Sequence, residues 1–277
     1  MPEPYSCRAK GGVVGSPPNR GAGCYMLTYP IETLDALRSA EMDLLLQKHG
    51  QFFSGADVLE IGSGTGAQLR ELSSVAKSAV GVDLHSSYLK APENNVTYYD
   101  GVNLPFADNS FDVIYSSNTM EHVTDQPGLH LEMKRVLRPG GVAIHVVPSC
   151  AWRLWTTAIY YPMLPKLIFS VLSRTKDQQA APTEAAPVKG IKSRMLDLIC
   201  PSRHGETGNR FTEWWHFRAA SWSKRFESLG WKIEKVEPLG LFYTGFLVAF
   251  FSISMKTREQ LARVLGSACI IVILRDS

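Results

Sequence analysis

Cysteine is sparse in this chain and poorly spaced for chemistry. The 277 residues hold five, Cys7, Cys24, Cys150, Cys200 and Cys269. The number is odd, no C-x-x-C pair occurs, and no Cys/His set falls at zinc spacing. The sequence therefore presents no cysteine-based metal-ligand set, and reduced, buried thiols are expected. No charged n-region followed by an apolar stretch opens the chain, which argues against a cleaved leader and makes the cytoplasm the expected compartment. Arginine-rich tracts and aromatic residues interleaved with Lys/Arg are also missing, which disfavours a nucleic-acid partner. The long uncharged run 238–255 has 18 residues, the lower limit for a membrane span, and Pro238, Gly240 and Gly245 interrupt it. A buried segment is expected there, with peripheral membrane contact through an apolar patch as the alternative.

What is present suits a globular enzyme. Hydrophobic residues make up 45% of the chain, enough for one large core. The net charge of +3 hides an asymmetry: residues 1–150 carry 11 Lys/Arg against 16 Asp/Glu, and residues 151–277 carry 18 against 10. A basic second half can attract an anionic acceptor or an acidic membrane surface.

Residues 1–24, rich in Gly, Pro and Ser, read as a flexible N-terminal arm. A helix is predicted from Pro30 to Gly50. Strands are then predicted over 57–61, 78–83, 96–100, 111–116 and 142–147, alternating with helices over 66–77, 86–91 and 128–137. This alternation specifies an α/β fold, a doubly wound, mostly parallel sheet, for residues 25–150. Residues 151–217 break the rhythm and read as an inserted lid, in which Pro162 and Pro165 are expected to kink or break an aromatic-rich helix. The Ala/Pro-rich stretch 178–190 reads as a flexible connection, and Trp152, Trp155, Trp214 and Trp215 are expected to pack on the main domain. Residues 218–277 return to the core with a helix over 218–229 and strands over 231–236 and 268–274.

Glu60-Ile61-Gly62-Ser63-Gly64-Thr65-Gly66 joins the first strand to the first helix of the alternating region. Glycines let a backbone approach a ligand where a Cβ would collide. The next acidic strand end, Asp83, follows Gly62 by 21 residues and is placed to accept hydrogen bonds from both hydroxyls of a ribose. A nicotinamide site would show G-x-G-x-x-G. Here the third glycine comes one residue early, and Glu60 would repel a pyrophosphate but suits a cationic ligand.

These residues resemble the signature of the class I S-adenosylmethionine-dependent methyltransferases, of the methyltransferase type 11 kind. Tyr99-Asp100-Gly101, Leu104-Pro105-Phe106 through Phe111-Asp112-Val113-Ile114, and Leu137-Arg138-Pro139-Gly140-Gly141 are similar to three further motifs of that family, in the same order. The resemblance covers about residues 55–150. It implies a Rossmann-like, seven-stranded sheet with a C-terminal antiparallel hairpin, and S-adenosyl-L-methionine as cofactor with S-adenosyl-L-homocysteine as product. It also implies that Gly62, Ser63, Gly64 and Gly66 face the methionine and ribose portions and that Asp83 holds the ribose diol. Leu84 would pack on the adenine, Asp100 would accept from its amino group beside Gly101, and Asn118 would line the methionine end.

Three histidines are candidates for the base that a hydroxyl acceptor requires: His122, directly after the fourth strand, and His204 and His216 in the insert. A helix-start role for His122, a solvated loop for His204 and an aromatic cluster for His216 are the structural alternatives. The expected acceptor is a small or medium-sized molecule such as a sugar, glycolipid, phenol or natural product, methylated on oxygen. A membrane-surface enzyme acting on a lipid-linked acceptor and a noncatalytic cofactor-binding scaffold are the competing readings. No motif specifies an oligomeric state.

Overall fold

A computed structural model describes residues 31–85, 87, 95–177, 203–209, 212–245 and 253–276, without the side chains of Ile31 and 166–177. The expected N-terminal arm, most of the helix expected over 86–91 and the connection at 178–190 lie outside the described residues.

Apolar stretches between glycine and polar turns produce seven strands among the described residues: β1 (Asp57–Ile61), β2 (Ser78–Leu84), β3 (Val96–Tyr99), β4 (Phe111–Ser117), β5 (Leu137–Pro148), β6 (Trp231–Pro238) and β7 (Cys269–Asp276). They form one sheet in the order β3-β2-β1-β4-β5-β7-β6. The first five are parallel, and β7 runs antiparallel to both β5 and β6. Every residue of β1 is buried, as a central strand covered on both faces requires. Chain direction across the sheet reverses beside β1, so the turn after β1 sits at the topological switch point, where open α/β sheets bind ligands.

The two-residue period of the strands separates two cores. Val58, Tyr115, Ile144 and Ile271 face α1 (Ile31–Phe53) and α2 (Ala67–Val75). Leu59, Ile114, Ala143 and Val272 face α3 (Gln126–Val136) and α6 (Ala219–Ser228), whose Trp222 and Phe226 are fully buried. Between β4 and β5 the pairing jumps from Phe111↔Leu137 to Val113↔Val142, so the Arg138-Pro139-Gly140-Gly141 turn bulges out of the ladder.

The insert departs from expectation at its prolines. Helix α4 (Cys150–Asp177) runs unbroken through Pro162 and Pro165. Tyr161, Pro162 and Pro165 all lie on an exposed face, where water can satisfy the carbonyls that each missing N–H leaves free. Trp152 packs against both cores, and Trp155 Nε1 donates to the Leu265 carbonyl at 2.9 Å. Trp214 and Trp215, on the short helix α5 (Glu213–His216), are instead 49% and 53% exposed, contrary to the expected packing. The link from β6 to β7 carries an unanticipated helix, α7 (Met255–Leu265). Leu239, Leu241, Phe242 and Tyr243 of the uncharged run are buried. Among the described residues no helix is long and apolar enough to cross a membrane.

Candidate functional site

The turn after β1 is shaped by three glycines in the left-handed region: Gly62 at φ 80°, Gly64 at 54° and Gly66 at 77°. A side chain at Gly62 is excluded twice, by its φ and by Thr119 at the end of β4, whose Oγ1 would lie 2.3 Å from an added Cβ. Gly66 starts α2 with no side-chain cap, so the first amides of that helix face the turn uncovered. Asp83 closes the turn from the neighbouring strand: Oδ2 accepts from the Gly64 amide at 2.9 Å and Oδ1 from the Leu84 amide at 2.7 Å. Burial nevertheless raises the Asp83 pKa, because these two amides and the Ser87 side chain do not replace the water its carboxylate loses. Helix α1 fastens the far side, with Thr65 donating to Asp35 at 2.7 Å and Gln68 to the Arg38 carbonyl at 3.0 Å.

Glu60 lies beneath this turn, 2% exposed. Its Oε2 has no hydrogen-bond partner among the described residues, and burial pushes its pKa up to about 8, with Ser63 opposing and Asp83 and Glu71 adding repulsion. An uncompensated buried carboxylate is costly, and a cationic ligand at the turn would relieve it.

Beyond Asp83, Leu84 is 39% exposed, and its Cδ2 would lie 3.2 Å from a Cβ added at Gly101, whose φ is 99°. An apolar side chain beside a bare backbone fits a flat ring. Asp100 is turned toward its own loop: Oδ1 accepts from Val102 and Asn103 amides at 2.9 and 2.7 Å, and Oδ2 from Asn103 Nδ2 at 2.6 Å. These bonds, the Asn103 side chain first, lower its pKa and keep it ionised.

Asn118 directly follows β4, at φ 50°. Its Oδ1 accepts from Cys269 Sγ at 3.5 Å, the last link of a buried chain in which Tyr243 contacts Cys269 at 3.1 Å and donates to Glu41 at 2.7 Å, while Glu41 also pairs with Arg38.

Immediately after Thr119 comes the 3-10 turn Met120–His122. Glu121 is 2% exposed, and neither carboxylate oxygen accepts a hydrogen bond from another described residue. Burial, first, raises its pKa. His122 Nε2 lies 3.7 Å and His204 Nε2 3.6 Å from the same atom, Glu121 Oε1, and the two imidazoles meet edge to face at 4.8 Å. His204 is brought there by its own loop. Gly205 approaches the Glu121 backbone, the Glu206 amide donates to the Glu121 carbonyl at 2.8 Å, and the His204 and Gly205 amides both donate to Glu213 Oε1 at 2.6 Å. Glu213, fully buried, is held by Arg153 of α4 at 3.0 Å. His122 and His204 thus meet, whereas His216 packs on Gly208 and is not part of this group. Sequence reasoning missed Glu121. Its adjacency to His122 was visible, but no spacing announces a partner 83 residues away.

Residues 59–145 match the family model for a methyltransferase domain. An uncharacterized methyltransferase of Mycobacteroides abscessus is 35% identical over 112 residues, which is 37% of this chain and 43% of that protein. Demethylmenaquinone methyltransferase of Corynebacterium kroppenstedtii is 34% identical over 134 residues, 47% of this chain and 53% of that one. The chain spans about half the length of the curated relatives it matches. An S-adenosylmethionine dependent methyltransferase structure from Mesorhizobium loti aligns at 20% identity with a TM-score of 0.47, covering 81% of this chain and 92% of that one. One from Aquifex aeolicus aligns at 16% identity with a TM-score of 0.45, covering 88% and 95%. The matched segment contains the glycine turn, Asp83 and the end of β4, and residues 59–145 are a methyltransferase domain of that family.

Proposed function

We propose that the chain transfers a methyl group from S-adenosylmethionine to a hydroxyl of a small or medium-sized acceptor, such as a sugar, glycolipid, phenol or natural product. When bound, the cofactor supplies a methyl group already activated on a sulfonium. The protein's task is then to align the acceptor and exclude water. Asp83 would hold the ribose, Glu60 would compensate the cofactor's positive charge, Leu84 and Gly101 would enclose the adenine, and Asp100 would accept from its edge. Asn118 would line the methionine end. The observation that carries the reading is the position of Glu121, His122 and His204, which begin two residues after Thr119, the side chain pressed against Gly62. An acceptor hydroxyl reaching these groups can lose its proton within a short distance of the methyl donor.

Residues 151–217 would serve as the acceptor-binding lid, since they contribute His204 and Trp152, whose rings lie 4.6 Å apart. His216 would support this lid from the Gly208 turn. Incubation with methyl-labelled cofactor and a panel of sugars, phenols and glycolipids tests the reading. Label is expected in an ether product, and label found only on nitrogen or carbon contradicts it.

A second reading draws on Trp214 and Trp215, exposed beside Arg218, whose guanidinium lies 4.3 Å from the Trp215 ring centre. Aromatic and cationic groups together suit the boundary of a lipid layer and a lipid-linked acceptor. Sedimentation with anionic vesicles, lost in a Trp214→Ala/Trp215→Ala variant, would support it, and a protein left in the supernatant would reject it.

A further inference from the structure

Two imidazole nitrogens and one carboxylate oxygen meet where β4 ends, each within 4.8 Å of the other two. The separations from Glu121 Oε1, 3.6 Å to His204 Nε2 and 3.7 Å to His122 Nε2, exceed a hydrogen bond. They are close to the spacing of about 3.3 Å between neighbouring ligands of a tetrahedral ion with bonds of roughly 2.0–2.1 Å. The carboxylate is buried, and neither of its oxygens accepts a hydrogen bond from another described residue. Of the cations that attract Glu121, Arg38 on α1 is directed at Glu41, and Arg225 on α6 stacks on Trp222 with its guanidinium 4.4 Å from the ring centre. The loop that supplies His204 is rigidly seated, since Glu213 takes two of its amides and Arg153 holds Glu213.

From this geometry we infer that Glu121, His122 and His204 bind one divalent ion of the zinc class, leaving coordination positions open for the acceptor oxygen. Two nitrogen donors with one carboxylate favour zinc and its transition-metal neighbours over magnesium or calcium, which take oxygen ligands. The ligand set stands on its own geometry, whereas its role in catalysis rests on the proposed transfer to oxygen. There the ion would acidify the acceptor hydroxyl, whose proton passes to water. The oxygen's electron pair then forms the new C–O bond as the C–S pair returns to sulfur, leaving a neutral thioether.

Untagged protein, stripped with chelator and dialysed, is titrated with zinc chloride alone, with magnesium chloride in parallel. One equivalent of zinc is expected to bind, with magnesium at least a hundredfold weaker. Glu121→Gln, which keeps the buried volume, and His204→Ala, at a partly exposed position, should each weaken zinc at least tenfold. Cobalt substitution should give a visible absorption band that His204→Ala shifts or removes. No stoichiometric zinc binding, or zinc binding unchanged in a folded His204→Ala variant, overturns the inference. S-adenosylhomocysteine titration of the same samples separates the two claims: cofactor binding without zinc binding rejects the ion alone, and zinc binding without cofactor binding rejects the proposed function.

Discussion

Gly205 lies so close to Glu121 that a Cβ on it would stand 2.9 Å from the Glu121 carbonyl oxygen and 3.2 Å from the Glu121 Cβ. This contact joins the insert to the end of β4 and places His204 beside His122. Backbone on backbone cannot give way as a flexible side chain can.

Gly205→Ala should therefore lift the 203–206 loop. A cost of about 1–3 kcal/mol is expected from overpacking, with turnover reduced more than tenfold and cofactor affinity little changed, because the glycine turn is untouched. Comparing kcat with the dissociation constant for S-adenosylhomocysteine checks this. Equal losses in both would mean that the loop does not serve the acceptor side.

Cofactor affinity should depend on pH through Glu60. Its carboxyl group, with a pKa near 8 in the free protein, is protonated below that value, and a cationic ligand favours the anion. Binding then releases a proton, so affinity should rise from about pH 6 to about pH 8 and level off above it. Glu60→Gln should flatten this rise. Calorimetry in buffers of different ionisation enthalpy measures the proton release directly, and a wild-type profile that falls over this window contradicts the role assigned to Glu60.

Acid should destabilise the fold before the surface carboxylates titrate. His130 is 1% exposed, accepts from Trp231 Nε1 at 3.0 Å and is held near a pKa of about 4 by burial, with Lys134 adding to the effect. Its folded-state pKa is depressed, so the unfolded chain takes up the proton first. Stability is full above about pH 6.5 and falls as the pH drops toward about 4. His145, also buried and shifted down, acts in the same direction. A loss on the order of 3 kcal/mol is expected from His130, read as a falling Tm across that window, and a flat Tm would contradict it.

The parallel half of the fold was legible because its signals are local. Asp57–Ile61 reads as a continuous buried strand, the glycines punctuate its end, and Asp83 closes the next strand. What was not legible depends on tertiary context. Helix α4 passes Pro162 and Pro165 because they lie on its solvent face, which a pattern of residue types cannot show. The helix Met255–Leu265 escaped because the uncharged run 238–255 was read as one unit, although Ser254 caps a new helix by accepting from the Thr257 amide. Of the residues proposed for the acceptor side, His122 and His204 were visible singly. Their meeting at Glu121 depends on Gly205 and Glu213, whose roles exist only once the insert is folded back.

The central claim is that the turn closed by Asp83 holds S-adenosylmethionine, and calorimetric titration of S-adenosylhomocysteine into wild-type protein and Asp83→Ala tests it most directly. The account predicts one-to-one binding to the wild type. It predicts a loss of about 2–4 kcal/mol, roughly thirtyfold or more, in a variant that remains folded, because two charge-assisted hydrogen bonds to the ribose disappear. A folded wild-type protein that binds none, or an Asp83→Ala variant that binds equally well, would contradict it.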